Sequence, residues 1–395
     1  MNELSGPRIF LAIDNCFAFK RWTRPLDWAK VINDMGVKYI EASADTELDP
    51  LFMGEDYLKR WVEEVKKVED ITGVKVANLY SGHGTYCTLG LAHTDADVRN
   101  RMKEKWFKPM IKTAAEIKAG IGFFAHAFAD YILQDAELYN VYVELLYNNL
   151  AELNEYAGRV GCTAMGLEQM YSPHQVPWRI KETKKLLKEV TLRSGHDFYF
   201  TEDVGHHHIK FVKPSAQEIA AAFKSFIETS DIYGLWLGTI QTYELFKKSK
   251  AECGQISKES LSRIFEEIEK NPHMFAEPED GDCYEWIRRL GCYSPIIHLQ
   301  QSDGFVSAHK HFTPENNKCG KIEPVKLLQA LKESYDTPRE KDMPRRCENI
   351  YLTLEAFTST ASINNDTLAD YQASVDYWRK YIPEDGMTLN KLIGG

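Results

Sequence analysis

Several things are missing from this sequence of 395 residues. No window approaches the ~18 consecutive apolar residues of a membrane span, so a membrane-spanning chain is not expected. The opening MNELSGPRIFLAIDNCF lacks a basic stretch followed by a long apolar one. No secretory signal is therefore expected, and a cytoplasmic location is read from that. The eight cysteines, Cys16, Cys87, Cys162, Cys253, Cys283, Cys292, Cys319 and Cys347, include no C-x-x-C pair. That scatter suits neither a zinc finger nor a disulfide framework, and it points to reduced thiols that mostly fill the core. Positive charge is also short: 48 Lys+Arg face 58 Asp+Glu, a net charge of −10. Binding to nucleic-acid phosphates or to an anionic membrane surface normally needs a basic face, so neither partner is expected. No G-x-G-x-x-G follows the first apolar run and no P-loop occurs, so a nucleotide site lacks its usual fingerprint.

What remains is an ordinary globular composition, 44% hydrophobic and 27% charged, with enough chain to bury a large core unaided. Short apolar runs alternate with longer amphipathic stretches. The runs lie at 8–14, 38–45, 74–81, 121–128, 163–169, 197–203, 294–301 and 350–357. Near-continuous hydrophobics of this length predict strands buried on both faces. Between them the spacing predicts helices near 55–71, 94–118, 137–159, 178–191, 324–334 and 367–381. In 94–118, Thr94 and Asp95 provide a cap and Val98, Met102, Trp106, Met110, Ala114 and Ile117 form one apolar stripe. Eight strand–helix units predict an α/β fold, a closed parallel (β/α)8 TIM barrel read as one domain over 1–395. The stretch 204–282 is far longer than one crossover needs. It is expected to be a helical insertion after strand six, with helices near 215–229, 233–249 and 257–270.

In such a barrel the functional groups gather at the C-terminal ends of the strands. Those positions carry Asp14 and Asn15, Glu41 and Asp45, Ser81 and His83, His126, Glu168 and Gln169, Glu202, Asp203 and His206, His298 and Gln300, and Glu355. Glu168, Asp203, His298 and Glu355 stand out as three carboxylates and one imidazole, each in an otherwise apolar strand. Unpaired buried carboxylates are costly, and this oxygen-rich set suits one divalent ion: Mn2+ first, with Mg2+, Co2+ or Zn2+ as alternatives.

The segments GLEQ (166–169), DVGHH (203–207), IIHLQQSDG (296–304), HKHFTPENNKCGKI (309–322) and LTLEAF (352–357) occur in this order. Together they resemble the xylose-isomerase-like TIM barrels, which include the ketose 3-epimerases, hydroxypyruvate isomerase, the inosose enzymes and endonuclease IV. The resemblance implies that Glu168, Asp203, His298 and Glu355 hold the metal. It also implies that Glu168 and Glu355 are catalytic, one removing a proton beside a carbonyl and the other returning it, while the metal steadies the enediolate. His206 is implied as a contact to substrate oxygen. The expected function is a metal-dependent isomerase or epimerase acting on a sugar or polyol-derived small molecule. A lyase on a sugar-derived keto compound is the alternative, and an endonuclease-IV-like phosphoesterase a more distant one.

Further candidates for the substrate pocket are His126, Gln300, His309, Lys310, His311 and Trp178. The chain departs from the family pattern in three places. Gln300 and Gln301 stand where an acidic residue or an Arg-bearing loop is usual, which leaves Lys310 the only nearby cation and speaks against an anionic substrate. The 204–282 insertion exceeds that of the small epimerases and is a candidate lid or homo-oligomer surface. Asn316–Cys319 lengthens the loop before Gly320. His207 and His208 are read as surface or structural, and the run Lys181–Lys188 as a solvated helix face.

Overall fold

The computed structural model describes residues 6–81, 89–207, 209–252 and 254–394. Eight parallel strands close into a barrel: β1 (Arg8–Asp14), β2 (Tyr39–Ser43), β3 (Lys75–Ser81), β4 (Gly120–Phe123), β5 (Met165–Glu168), β6 (Tyr199–Asp203), β7 (Ile296–Leu299) and β8 (Asn349–Leu354). Closure comes from β8 pairing with β1, Ile9 opposite Ile350 through Ile13 opposite Leu354. A two-residue strand, Met387–Thr388, adds antiparallel to the start of β1.

Alternation along each strand sends one set of side chains into the barrel and the other toward the helices. The outward set joins one continuous buried cluster. Leu11, Ile40, Leu79, Phe200 and Leu352 meet Trp28, Trp61, Met110, Leu187, Trp286 and Trp378 of the surrounding helices. Burial of each such side chain contributes ~1.5–3 kcal/mol. Helices Glu55–Thr72, Ala136–Val160 and Ile180–Ser194 end on Gly73, Gly161 and Gly195 in left-handed conformation, the geometry that satisfies the last carbonyls.

The structure departs from expectation at three elements. The fourth strand stops at Phe123; beyond it Ala127 bridges to Gln175 and Phe128 donates its amide to the His174 carbonyl. The helix expected over 94–118 is capped by Asp95 but divides into Ala96–Met102, a wider π turn Lys103–Phe107, and Lys108–Glu116. Pro109 has no N–H for the ladder at that junction. In the segment after β6, helices Ala216–Thr229 and Lys258–Lys270 form as expected, but the middle one covers only Ile240–Lys247. Gly234 and Gly238 precede it at φ 79° and 77°, which a right-handed helix cannot accommodate. A small hairpin pairs Ala251–Glu252 with Gln255–Ile256. The far end of this segment is tied to the barrel: Ile180 N donates to Asp280 Oδ1 at 2.8 Å, and Arg179 Nη1 donates to the Pro272 carbonyl at 2.7 Å. Asn316–Cys319 belongs to a short helix, Pro314–Cys319, capped by Thr313. Among the described cysteines Cys283, Cys292 and Cys347 are buried, while Cys319 is exposed. No described helix is long and apolar enough to cross a membrane.

Candidate active site

The C-terminal ends of β5 to β8 converge. Glu168 closes β5, Asp203 closes β6, His298 lies in β7 and Glu355 follows β8 directly. One ligand atom from each lies within 4.8 Å of the others, and all four residues are buried. His298 stands at the centre. Its Nδ1 is 3.1 Å from Glu168 Oε1 and 3.3 Å from Glu355 Oε2. Its Nε2 points the other way, 2.8 Å from Glu41 Oε2. Asp203 accepts the Gly205 amide at 2.7 Å and both its oxygens receive Gln300 Nε2, while Oδ2 lies 3.1 Å from His206 Nε2.

The electrostatics follow from these neighbours. Burial lowers the His298 pKa, but Glu355 and Glu41 outweigh it and hold it well above the ordinary value. Burial raises Asp203, yet the imidazoles of His206, His309 and His298 bring it below the usual carboxylate range. His309 is depressed by burial and raised more strongly by Glu355, reaching about 9.

This donor set fits a divalent cation. Three carboxylates this close repel one another unless a positive charge sits among them. Glu355 Oε2 and His309 Nδ1 are buried and make no hydrogen bond, although they lie 3.5 Å apart. An orphaned carboxylate oxygen aimed into an oxygen-rich cluster is what an ion of the Mn2+ or Mg2+ type would satisfy.

Around this centre the structure places the remaining candidates unequally. His206 is buried, its Nδ1 2.8 Å from the Gln169 carbonyl and its ring edge-on to Tyr171. Gln300 bridges the Asp203 carboxylate, Ser307 and the His309 amide. His309 is held at φ 45° with its ring stacked on Phe357 at 3.9 Å. His126 is buried three residues beyond β4 with an unpartnered Nδ1, and burial lowers its pKa to about 3. Three candidates turn elsewhere. The Lys310 ammonium pairs with Asp303 at 3.5 Å on the surface, because its backbone bridges to Gln301 and sends the side chain outward. The His311 ring meets Tyr371 edge-on. Trp178 lies under the Arg179 guanidinium and against Phe211. His207 is buried, paired with Glu202 at 2.8 Å, so its place is structural and not on the surface. His83 and His208 lie outside the described residues.

The sequence reading gave no role to four residues that reach this centre. Tyr80 donates its hydroxyl to Glu168 Oε2 and sets its ring edge-on to His298. Glu41 accepts from His298 and from Asn78. Asp14, with Glu41 and His298, forms a second close-set group, and burial followed by Glu41 and Glu355 raises its pKa. Period-two polar positions in apolar strands were the available signal for Glu41, Asn78 and Tyr80.

Comparison with known proteins agrees with this architecture. The model of the xylose isomerase-like TIM barrel family matches residues 29–237. A D-erythrulose 1-phosphate 3-epimerase from Brucella abortus is 32% identical over 107 residues, 27% of this chain and 31% of that protein. The matched stretch thus spans less than a third of the relative. Among solved structures, a candidate xylose isomerase from Rhodospirillum rubrum superposes with a TM-score of 0.65 at 17% identity, covering 94% of this chain and 99% of that one. A D-allulose 3-epimerase from Methylomonas sp. gives 0.53 at 10% identity, with 95% and 97% covered. At such identities the structural likeness speaks for the fold.

Proposed function

Because this chain belongs to the xylose isomerase-like TIM barrel family, we propose that it is a divalent-metal-dependent sugar isomerase or epimerase in which Glu168 and Glu355 transfer the proton. The observation that carries this reading is the arrangement around His298 Nδ1. Two carboxylates from β5 and β8 approach the same imidazole nitrogen at 3.1 and 3.3 Å, so they face one small space from different strands. When bound there, Mn2+ or a related ion would take up negative charge developing on a substrate carbonyl oxygen.

The chain's own groups do the rest. One of the two glutamates removes a proton from the carbon beside the carbonyl and the other returns one, on the opposite face or on the neighbouring carbon. Tyr80 holds Glu168 Oε2 and so fixes how that carboxylate is presented. Gln300 anchors Asp203 and, through the His309 amide, the loop beyond β7. His126 keeps a buried, unpartnered Nδ1, whereas both nitrogens of His206 are engaged, by the Gln169 carbonyl and by Asp203.

The curated relative is an epimerase, which supports proton transfer beside a ketone. Its substrate carries a phosphate; three of the cations on the loops here are engaged otherwise. Lys310 pairs with Asp303, Lys20 donates to Thr360, and Arg21 is spent on Asn364 and the carbonyls of Ser359 and Ser362. An unphosphorylated substrate is therefore proposed.

The test is proton NMR after incubating the Mn2+-loaded protein with ketoses and aldoses in D2O. Deuterium beside a carbonyl together with a new sugar isomer is expected, and lost on chelation with EDTA. Bound metal without exchange in any sugar would overturn the isomerase reading and favour the lyase.

A further inference from the structure

The metal-facing nitrogen of His298 is determined by its other nitrogen. An imidazole offers a lone pair at Nδ1 only if its remaining proton sits on Nε2, and that choice is made by whatever accepts the Nε2 proton. Here the acceptor is Glu41 Oε2 at 2.8 Å, fully buried on β2. Glu41 is itself held: its Oε1 receives Asn78 Nδ2 at 2.5 Å. The chain of contacts runs from β3 through β2 to β7 across the barrel interior and ends at the four-residue cluster.

Two independent features of the backbone create room and register for this chain. The β2–β3 ladder pairs Ile40 with Val76, then shifts so that Glu41 faces Asn78, leaving Ala77 extra on β3. A bulge of this kind re-aims a side chain at a local cost in ladder bonding. On the next strand, β4 has glycine at 120 and 122. A Cβ at Gly120 would come within 2.8 Å of Asn78 Oδ1, and one at Gly122 within 3.2 Å of Asn78 Nδ2 and 2.9 Å of Thr201 Oγ1. A Cβ at Gly120 would force Asn78 Oδ1 to shift, and one at Gly122 would press on Nδ2, the atom that donates to Glu41.

Resting on the metal reading above, we propose that Glu41, braced by Asn78, is a positioning residue. It keeps the proton of His298 on Nε2 and turns Nδ1 toward Glu168, Asp203 and Glu355 as the single nitrogen ligand. Asp14 joins Glu41 and His298 in a second close-set group, but a second ion there would need the same Nε2 that Glu41 already engages. With Nε2 keeping its proton for Glu41, the proposal requires one ion, not two.

The experiment is Mn2+ titration of the full chain, followed by the EPR signal of free Mn2+, with apparent melting temperature read on the metal-free proteins. The wild type is expected to bind one Mn2+. Glu41→Leu, which keeps the buried volume, is expected to bind ~10–100-fold more weakly, and its metal-free form is expected to melt lower than wild type, since His298 Nε2 and Asn78 Nδ2 lose their shared buried partner. Glu41→Gln retains an uncharged acceptor and is expected to lose ~3–10-fold, charged acceptors being the stronger ones. Wild-type affinity in Glu41→Leu overturns the proposal; should that variant fail to fold, wild-type affinity in Glu41→Gln does so. Two Mn2+ per wild-type chain, one of them lost in Glu41→Gln, also overturns it and makes Glu41 a ligand. A wild type that binds no Mn2+ contradicts the metal reading itself, a failure separable from the others.

Discussion

The two ends of this barrel are built on different principles. At the N-terminal end the interior is plugged by aromatic rings: Phe10 lies 5.0 Å from both Tyr39 and Tyr351, which are 5.3 Å from each other. The charges around it are matched, Arg345 with Asp197 at 2.6 Å and Lys75 with Glu69 at 3.2 Å. A cavity of about 620 Å³ opens there among Lys75, Tyr199, Arg345 and Asn349. At the C-terminal end the buried groups are polar and several are unsatisfied: Glu355 Oε2, His309 Nδ1, His126 Nδ1 and Gln169 Oε1 make no hydrogen bond. Exposed large apolar side chains occur at both ends, Phe52, Phe305 and Phe357 here and Ile71 and Leu192 on the last helical turns at the other. The lesson is that cavity volume alone does not mark a functional site. Buried polar atoms left without partners do, because their desolvation has to be offset by something that binds.

The largest effect that sharpens this contrast belongs to Glu355. Glu355→Gln keeps the shape of the side chain and removes its basicity. Turnover in the D2O exchange assay should fall ~10³-fold, within the span usual for a lost acid–base group, while the circular dichroism spectrum stays that of wild type. Near-normal exchange would remove Glu355 from the chemistry.

The next effect is on stability. Glu47, in the loop after β2, is buried and accepts from Asn15 and Trp28 with no cation beside it. Burial raises its pKa from 4.5 to about 8, against the pull of its indole and amide donors. Below pH 4.5 both folded and unfolded states hold the proton, so its contribution is fully present. Between 4.5 and about 8 only the folded state keeps it, and stability falls as pH rises. Glu47→Gln is therefore expected to stabilise the protein by ~5 kcal/mol at pH 9 and by less than ~1 kcal/mol at pH 5. Urea melts at the two pH values check this, and equal effects at both would contradict it.

A smaller effect is expected at Tyr80. Tyr80→Phe frees Glu168 Oε2 and should lower kcat by ~10-fold with KM nearly unchanged, the mark of an interaction that acts on the reacting group and not on ground-state binding. A rise in KM alone would make Tyr80 a substrate contact. The smallest effect tests the other end: Arg345→Ala breaks a largely exposed ion pair, so thermal melts should change by less than ~1 kcal/mol and turnover should not change.

How much of this was legible in the chain depended on distance. Each strand of the barrel was visible because a doubly buried strand must be apolar over its own few residues. Glu168, Asp203, His298 and Glu355 were visible as polar exceptions in those runs. Contacts set by chain returning from elsewhere were not. Glu41 was noted only as a strand-end carboxylate, since its partner His298 lies 257 residues away and Asn78 reaches it through a register shift that composition does not encode. Lys310 and His311 sit beside His309 in sequence, yet the bridge between Gln301 and Lys310 orients the neighbours oppositely. Pro109 and Gly238 did carry local signals, and the apolar stripes around them concealed the breaks.

The central claim is that the C-terminal end of the barrel is organised around one divalent ion. Anomalous diffraction at the manganese edge, from crystals grown with Mn2+, tests it most directly. A single peak bounded by Glu168, Asp203, His298 Nδ1 and Glu355 is predicted. A peak between Asp14 and Glu41 instead, or none among the four residues at saturating Mn2+, would contradict the account.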